Sequence, residues 1–434
     1  MLKVPVPAKC FSRKTSGGSV PLEVCTQPMI KKSSFPATFI ALLVLVSFGI
    51  ICVVYLLCNK PLLFLNYLER GLDYHDFFTA SERIVKGLSP YNSANNRYVT
   101  TPVPAIANLV FVGLGFDGAS TLFYILIPLS LLIGYYLLVS RIGFAQEDKQ
   151  SVLIAGLLVL LFGYPFYFLL QRENIDGWVF LFLCLGFYWL LKPKKECYCG
   201  LFFSLAIAFK IYPILIMAPV ILGRKWRLFF WTSFWLVLWG IITCVWFFDF
   251  QHVVLLRSLS LFRMDENGSL IATVTMILTF MESIGLTAAG ALTEFSSLIA
   301  LLVYGMLLAL LVLADYKRGK TNELGFSSFP MYVPFMIAFP QLVYHYSLII
   351  CLILVPVVAQ LWATHEDGRQ RVVILLISFG IAMTQWQAFA TFQLTGNVLS
   401  QLIPGLGLVV MMSGIVIFKL IPAPAAVYDG LEKA

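Results

Sequence analysis

The sequence predicts an all-α, polytopic integral membrane protein, and three observations carry that prediction. Apolar residues make up 60% of the 434 residues and charged residues only 12%, whereas a soluble domain of this size is roughly a quarter charged. Apolar runs of about 20 residues, each long enough to cross a bilayer as a helix, recur from residue 37 onward. A soluble chain would have no interior large enough to bury them all. The basic residues fall in short clusters between these runs, the pattern by which loop charge sets topology.

In chain order, residues 1–36 form a polar tail with Lys3, Lys9, Arg13, Lys14, Lys31 and Lys32 against a single acid, Glu23. That bias holds the N-terminus in the cytoplasm. The first apolar run begins too late for a cleavable signal peptide. The membrane body covers 37–420. Its first helix, over 39–58, leads to a first outer loop at 60–101. Within that loop, residues 75–87 have the pattern of an amphipathic helix lying at the membrane surface. Phe77, Phe78, Ile84 and Val85 supply its apolar side, and Glu82, Arg83 and Lys86 its polar side. Residues 421–434 end the chain as a second cytoplasmic tail.

Four later basic clusters, at 192–195, 224–227, 317–320 and 369–371, constrain the middle. If all are cytoplasmic, the segments between them cross an even number of times. Residues 200–222 are long enough for one crossing, yet Lys210 and Pro213 sit in their centre. Two short half-helices broken at Lys210-Ile211-Tyr212-Pro213 reconcile these facts, since proline ends helices and broken helices in membranes line cavities. A single crossing with one basic cluster outside is the alternative. The same logic gives hairpins at 151–170, bent at Gly163-Tyr164-Pro165, and at 326–361, bent near Pro340. Crossings fit 118–140, 176–191, 228–247, 294–314, 371–390 and 400–420. The total is roughly 10 to 14 membrane helices with both termini inside. No long internal repeat is visible, which disfavours an inverted-repeat transporter. This topology puts 60–101, 171–176, 248–270 and the Tyr344-His345 pair on or near the non-cytoplasmic face.

Other classes are excluded. The net charge of +8 is a topology signal, so the expected partner surface is the lipid bilayer, with no nucleic acid. The nine cysteines show no metal spacing, and no cofactor is implied. No P-loop, dinucleotide fingerprint, zinc spacing or G-x-S-x-G element is present. His365, among Glu366, Asp367 and Arg369, reads as part of a solvated loop.

The chemistry-bearing stretch is Leu72-Asp73-Tyr74-His75-Asp76-Phe77-Phe78-Thr79-Ala80, continuing through Gly87-Leu88-Ser89-Pro90-Tyr91 to Arg97-Tyr98 and Pro102. Asp73 and Asp76 lie one turn apart at the start of the surface helix, where acids are favoured by the helix dipole. A carboxylate among tyrosine and phenylalanine at a membrane surface is partly desolvated, which suits a general base. A helix cap with a first-turn acid accounts for the same residues. Lys210 in an apolar run is expensive without a partner. It can meet an anionic phosphate, or it can snorkel or form an internal ion pair.

The spacing D-Y-x-x-F-x-x-A, then G-x-S-P-Y, then R-Y and P, resembles the first outer loop of GT-C glycosyltransferases. It looks most like the polyprenyl-phosphate-sugar-dependent enzymes of glycosyltransferase family 87, the mycobacterial mannosyltransferases among them. The first-mannose transferase of GPI-anchor assembly is also similar. A second block resembles the family's Q/G-x-x-N segment, Lys-x-x-Pro break and basic cytoplasmic end. It comprises Gln171-Arg172-Glu173-Asn174-Ile175-Asp176, then Ala208-Phe209-Lys210-Ile211-Tyr212-Pro213, then Gly223-Arg224-Lys225-Trp226-Arg227. The family usually has glycine where Glu173 stands. Tyr344-His345-Tyr346 is similar to a late aromatic-His element.

The resemblance implies a GT-C fold and a membrane hexosyl- or pentosyltransferase. It would move mannose or a similar sugar from a polyprenyl-phosphate donor to a glycolipid or glycan acceptor of the cell envelope. The site would lie on the periplasmic face of a bacterial inner membrane. No polar stretch is long enough to build a nucleotide-sugar domain, so the donor comes from the bilayer. Asp73 occupies the place of the family's catalytic base, with Asp76 as second candidate. Some relatives use an Asp-x-Asp pair, but Gly71 stands two before Asp73, which argues against a bound metal. Lys210, His345, Arg257 and Arg263 are the implied donor-phosphate ligands; for His345 a packing role is the alternative, and for the loop arginines lipid contact. His75 is placed to orient an aspartate. Tyr74, Tyr91 and Tyr98 are placed to stack on sugar rings, with Gln171, Asn174 and Tyr344 as further substrate contacts. A transporter or flippase of lipid-linked saccharides is the rival reading: it would use the same basic groups but needs no aspartate base.

Overall fold

The computed structural model describes residues 34–57, 71–91, 100–246, 248–251, 270–320, 324–338, 345–386 and 397–422. Among these, every regular element is helical. The helices are α1 (Phe35–Leu57), α2 (Leu72–Val85), α3 (Pro102–Ala107), α4 (Leu109–Val112), α5 (Gly115–Arg141), α6 (Gln146–Phe162), α7 (Tyr164–Arg172), α8 (Asp176–Leu190), α9 (Glu196–Phe209), α10 (Met217–Leu222) and α11 (Trp226–Thr243). Then follow α12 (Leu270–Ser283), α13 (Thr287–Thr293), α14 (Ser296–Lys320), α15 (Val333–Ala338), α16 (Leu354–Thr364), α17 (Gly368–Thr384) and α18 (Asn397–Leu420). Short 3-10 segments join several of them, at Tyr212–Ile216, Phe326–Ser328, Pro330–Tyr332 and His345–Ile353.

Six described helices are long and apolar enough to cross a membrane, and the bent pair α6–α7 would make a seventh span. Five shorter apolar segments, at Asp176–Leu190, Glu196–Phe209, Tyr212–Leu222, Leu270–Ser283 and Phe326–Ala338, accompany them. The long helices keep large side chains on their outer surface, as a lipid-facing shell does: Phe230, Val237 and Ile241 on α11 and Leu298, Leu301 and Leu302 on α14 are all exposed. The protein is therefore a multi-pass membrane protein. Helix α12 was not among the expected crossings, and the expected crossing at 371–390 ends earlier, at Thr384.

Two of the expected breaks are present. Helices α6 and α7 meet at 58°, where Gly163 takes an extended conformation and Pro165 occupies the first turn of α7. Proline cannot give the hydrogen bond a continuous helix needs there. The freed Tyr164 N–H donates instead to the Gln385 carbonyl at 3.2 Å, and Gln385 Nε2 donates to the Leu348 carbonyl at 3.2 Å. Interior helix breaks need such partners, because hydrocarbon supplies none. The second break falls at Lys210, whose extended backbone (φ −141°, ψ 136°) ends α9 before the Tyr212–Ile216 turn. The expected bend near Pro340 lies outside the described residues; α15 ends before it at Ala338 and a 3-10 segment runs after it over His345–Ile353. A 3-10 run of nine residues is uncommonly long. These broken segments are the most buried part of the protein, with Phe335, Ile337, Ile349 and Ile353 wholly enclosed. Helices α17 and α18 close one side of this centre through glycine. A Cβ on Gly380 would lie 2.8 Å from the Gly407 carbonyl, so only small residues allow the approach.

The surface helix begins three residues earlier than the expected 75–87. Gly71, at φ +70°, supplies a left-handed cap before Leu72, a conformation glycine adopts without steric cost. Asp73 therefore lies within the first turn of α2.

Candidate active site

Helix α2 docks onto the end of α7 through its cap. The Gly71 N–H donates to the Gln171 carbonyl at 2.8 Å. Tyr74, Phe77 and Phe78 bury the inner face of α2. That docking carries Asp73 onto the polar segment that follows α7. Arg172 Nε lies 3.1 Å from Asp73 Oδ1, and Asn174 Nδ2 donates to Asp73 Oδ2 at 2.6 Å. The Arg172 side chain is nearly enclosed, at 4% exposure, while Asp73 keeps 14%. One cation and one amide thus fix the carboxylate in a single orientation. A carboxylate has about four lone-pair sites, so acceptor capacity remains on its accessible side.

Asn174 links this group to a second one. Its Oδ1 accepts from the Asp176 N–H at 3.1 Å, an Asx turn that starts α8. Asp176 is fully buried. Its Oδ1 accepts from Tyr212 OH at 3.1 Å and faces Lys210 Nζ at 3.6 Å. Its Oδ2 accepts a short hydrogen bond from Ser347 Oγ. The charge also sits at a helix N-terminus, which favours an anion. The Lys210–Tyr212 break and the 3-10 segment that follows α15 therefore converge on one carboxylate, because a buried charge is tolerable only with partners. Thr101 adds a further tie by donating to the Ala208 carbonyl beside Lys210.

Glu173 explains a departure from the family pattern. Its backbone is left-handed, at φ +51°, the region in which glycine is free of strain. A glycine at this position therefore fits the turn, and Glu173 adopts it at a cost of about 1–2 kcal/mol. Ser120 Oγ donates to the enclosed Glu173 carboxylate at 2.7 and 3.0 Å, which offsets that strain. Burial pushes the Tyr74 hydroxyl up to about 12; the hydrogen bond to Asn108 opposes this, and the Glu173 charge adds a smaller push upward.

The expected site residues sort clearly. Asp73 in the first turn of α2, Gln171 and Asn174 at the α7–α8 junction, Lys210 at the end of α9 and His345 at the start of its 3-10 segment are where the sequence expects them to be, beside helix ends. His345 is buried, and among the described residues its Nε2 has no hydrogen-bond partner. Its ring stands edge-on to Tyr164, 6.1 Å between centroids. Asp76 is partly buried on the next turn of α2. The expectation that Tyr74 stacks on a sugar gives way to a core role: its side chain is wholly buried, packs on Phe123 at 4.7 Å and donates to Asn108 Oδ1. Tyr91 is likewise buried, donating to the Thr100 carbonyl at 2.7 Å beside Phe250. Among the described residues no hydrogen bond joins His75 to Asp73 or Asp76. Two residues from Asp73, it falls on another helix face, exposed, with its ring against Phe116 at 5.5 Å. Tyr98, Arg257, Arg263 and Tyr344 lie outside the described residues.

Arg172, Asp176, Tyr212 and Ser347 were not singled out in the sequence. Arg172 and Asp176 carried a signal, as charges beside apolar runs. Tyr212 and Ser347 carried none, since nothing local distinguishes them from packing residues. Among the described residues no three of His, Cys, Asp and Glu gather to hold a metal ion.

The family model of glycosyltransferase family 87 matches residues 98–340, more than half of the chain. The chain belongs to glycosyltransferase family 87. This family 87 protein is accordingly a membrane glycosyltransferase. The matched span contains Arg172, Asn174, Asp176 and Lys210 but not Asp73; the Asn174 hydrogen bond and the Arg172 ion pair tie Asp73 to it, and Tyr74 ties the rest of α2 to it through Asn108 and Phe123. Among solved structures, the crystal structure of ArnT from Cupriavidus metallidurans in the apo state is similar at 12% identity. It aligns over 80% of this chain and 70% of that one, with a TM-score of 0.36. No curated protein matches the sequence.

Proposed function

We propose that this family 87 enzyme transfers a sugar, mannose or a similar hexose or pentose, from a polyprenyl-phosphate donor to a glycolipid or glycan acceptor. The reaction runs on the non-cytoplasmic face, the periplasmic side of a bacterial inner membrane. The observation that carries this reading is the Asp73 carboxylate, oriented by Arg172 and Asn174 yet accessible, beside the break that bears Lys210.

The chemistry is one in-line displacement. The acceptor oxygen attacks the anomeric carbon as Asp73 takes its proton. The anomeric carbon–oxygen bond to phosphate breaks, and the polyprenyl phosphate leaves with that electron pair. One displacement inverts the anomeric configuration. Lys210 stabilises the departing phosphate. Its 3.6 Å separation from Asp176 is looser than the hydrogen bonds from Tyr212 and Ser347, and it keeps 19% exposure. It can therefore meet a phosphate while the other partners hold Asp176. His345, with its unpartnered nitrogen, is a second phosphate contact.

The test is sugar transfer from a polyprenyl-phosphate sugar by purified protein, wild type against Asp73→Asn. Undiminished transfer in the variant removes the base assignment. No transfer from any such donor, with measurable saccharide movement across liposomes, supports a transporter instead.

A further inference from the structure

The α8–α9 hairpin has a second polar end. Helix α8 spans about 22 Å over its 15 residues, so the turn after Leu190 lies most of a hydrocarbon core away from Asp176. There the 192–195 turn meets residues 224–228, which lead into α11, around an open cavity of about 480 Å³. Lys192, Lys194, Arg224, Lys225 and Arg227 line it against one acid, Glu196, five cations less one anion giving a formal surplus of four.

None of these cations pairs with a carboxylate among the described residues. Lys192 Nζ instead lies over the Trp189 and Tyr188 rings at 4.4 and 4.5 Å, and Lys225 Nζ over Phe329 at 5.8 Å. The backbone here is also unusual. The described non-glycine residues with positive φ are Glu173, at the active site, and Lys194 and Arg224, both in this cavity, at 57° and 52°. Strained positions of this kind persist where the surroundings impose them, and they concentrate at functional sites. Like charges that share a cavity repel one another, and an anion bound among them would relieve that repulsion.

The height of the cavity indicates which anion. Trp189 and Trp226 both line it, and tryptophan favours the membrane–water boundary. Beyond it, α11 presents exposed Phe230 and Phe234 along its length, a path for acyl chains. We propose that this cavity is a binding site for the phosphate headgroup of an anionic membrane lipid, on the opposite face from Asp73. Basic pockets between membrane helices take such headgroups. The site does not depend on the transfer mechanism and would exist in an enzyme with a different donor.

The full chain, purified in a zwitterionic detergent, is titrated with phosphatidylglycerol, phosphatidylcholine or soluble glycerol phosphate. The expected result is phosphatidylglycerol bound at least about ten-fold tighter than phosphatidylcholine, with glycerol phosphate failing to compete. The double variant Lys192→Gln, Lys225→Gln should lose about ten-fold in phosphatidylglycerol affinity at an unchanged melting temperature, while Lys317→Gln, an exposed cation outside the cavity, should lose nothing. Equal binding of the two lipids overturns the proposal, even if the double variant fails to fold. So does an equal loss in Lys317→Gln, which would mean generic surface attraction. Full competition by glycerol phosphate would make it a free-phosphate site and also overturn the lipid assignment.

Discussion

The two ends of the α8–α9 hairpin carry similar residues in opposite arrangements. At the candidate active-site end, Lys210 and Arg172 each stand against a carboxylate, Asp176 and Asp73, and hydroxyls of Tyr212 and Ser347 complete the shell. At the other end, five cations share a cavity with one acid, and two of them, Lys192 and Lys225, lie over aromatic rings. Charge compensated from within the chain fixes geometry, which suits a group that must act on a substrate. Charge left over calls for compensation from outside, which suits binding. A buried pair also exists near the basic end: Lys419 Nζ donates to Asp315 Oδ1 at 2.8 Å and to Ser328 Oγ at 2.5 Å. Ser328 is next to Phe329, the ring beneath Lys225. There too, internal pairing accompanies complete burial, with both side chains at 2% exposure or less.

The sharpest way to break the comparison is Asp73→Asn. If the compensated end performs the chemistry, kcat should fall by about 10²–10⁴ at an unchanged melting temperature; a residual rate near wild type would sink it. Next in size is Lys419→Met, which leaves Asp315 buried without its cation. Stability should fall by about 3–5 kcal/mol, read by chemical denaturation, and an unchanged midpoint would show that the pair is not what holds α14 to α18. Arg172→Lys keeps the charge but loses the guanidinium that reaches Asp73. A drop of about tenfold in kcat is expected, with KM little changed; a loss confined to KM would make Arg172 a substrate ligand.

The smallest effect concerns His365, which reads in the sequence as solvated. Its ring in fact packs on Phe418 at 5.2 Å and its Nδ1 bonds the Leu361 carbonyl at 2.9 Å. Burial lowers its pKa from the usual 6.5, Arg318 adds to this, and the Leu361 carbonyl opposes it. The fold therefore favours the neutral ring. Stability is unaffected above pH 6.5 and falls as pH drops from there toward the lower folded value, because the unfolded chain takes up the proton first. Between pH 7.5 and 5.5, His365→Gln should lose less melting temperature than wild type. Equal losses would assign the acid sensitivity to other groups.

Much of the architecture was legible because its causes are local. Run length and apolarity mark the spans, and Pro165 and Pro213 mark two of the breaks whatever the rest of the chain does. Asp73, Asn174 and Lys210 could be singled out because polar residues beside apolar runs are costly wherever they pair. Their partners were less legible. Tyr74 and Tyr91 look in sequence like interfacial aromatics, and only burial, of Tyr74 against Phe123 of α5 and of Tyr91 beside Phe250, separates core tyrosines from sugar platforms. Helix α12 follows a polar stretch and carries several threonines, which weakened its apolar signal.

The sequence by itself determined that Asp73 stands at the head of a surface helix in a membrane-embedded family 87 chain. Tertiary structure alone decided what that carboxylate meets. Asn174 reaches Asp73 across 101 residues, and Ser347 reaches Asp176 across 171. The physical reason is the low dielectric of the interior. A buried charge must be matched within about 3 Å by whatever the fold brings there, and such a partner need share no periodicity, spacing or composition with the residue it serves.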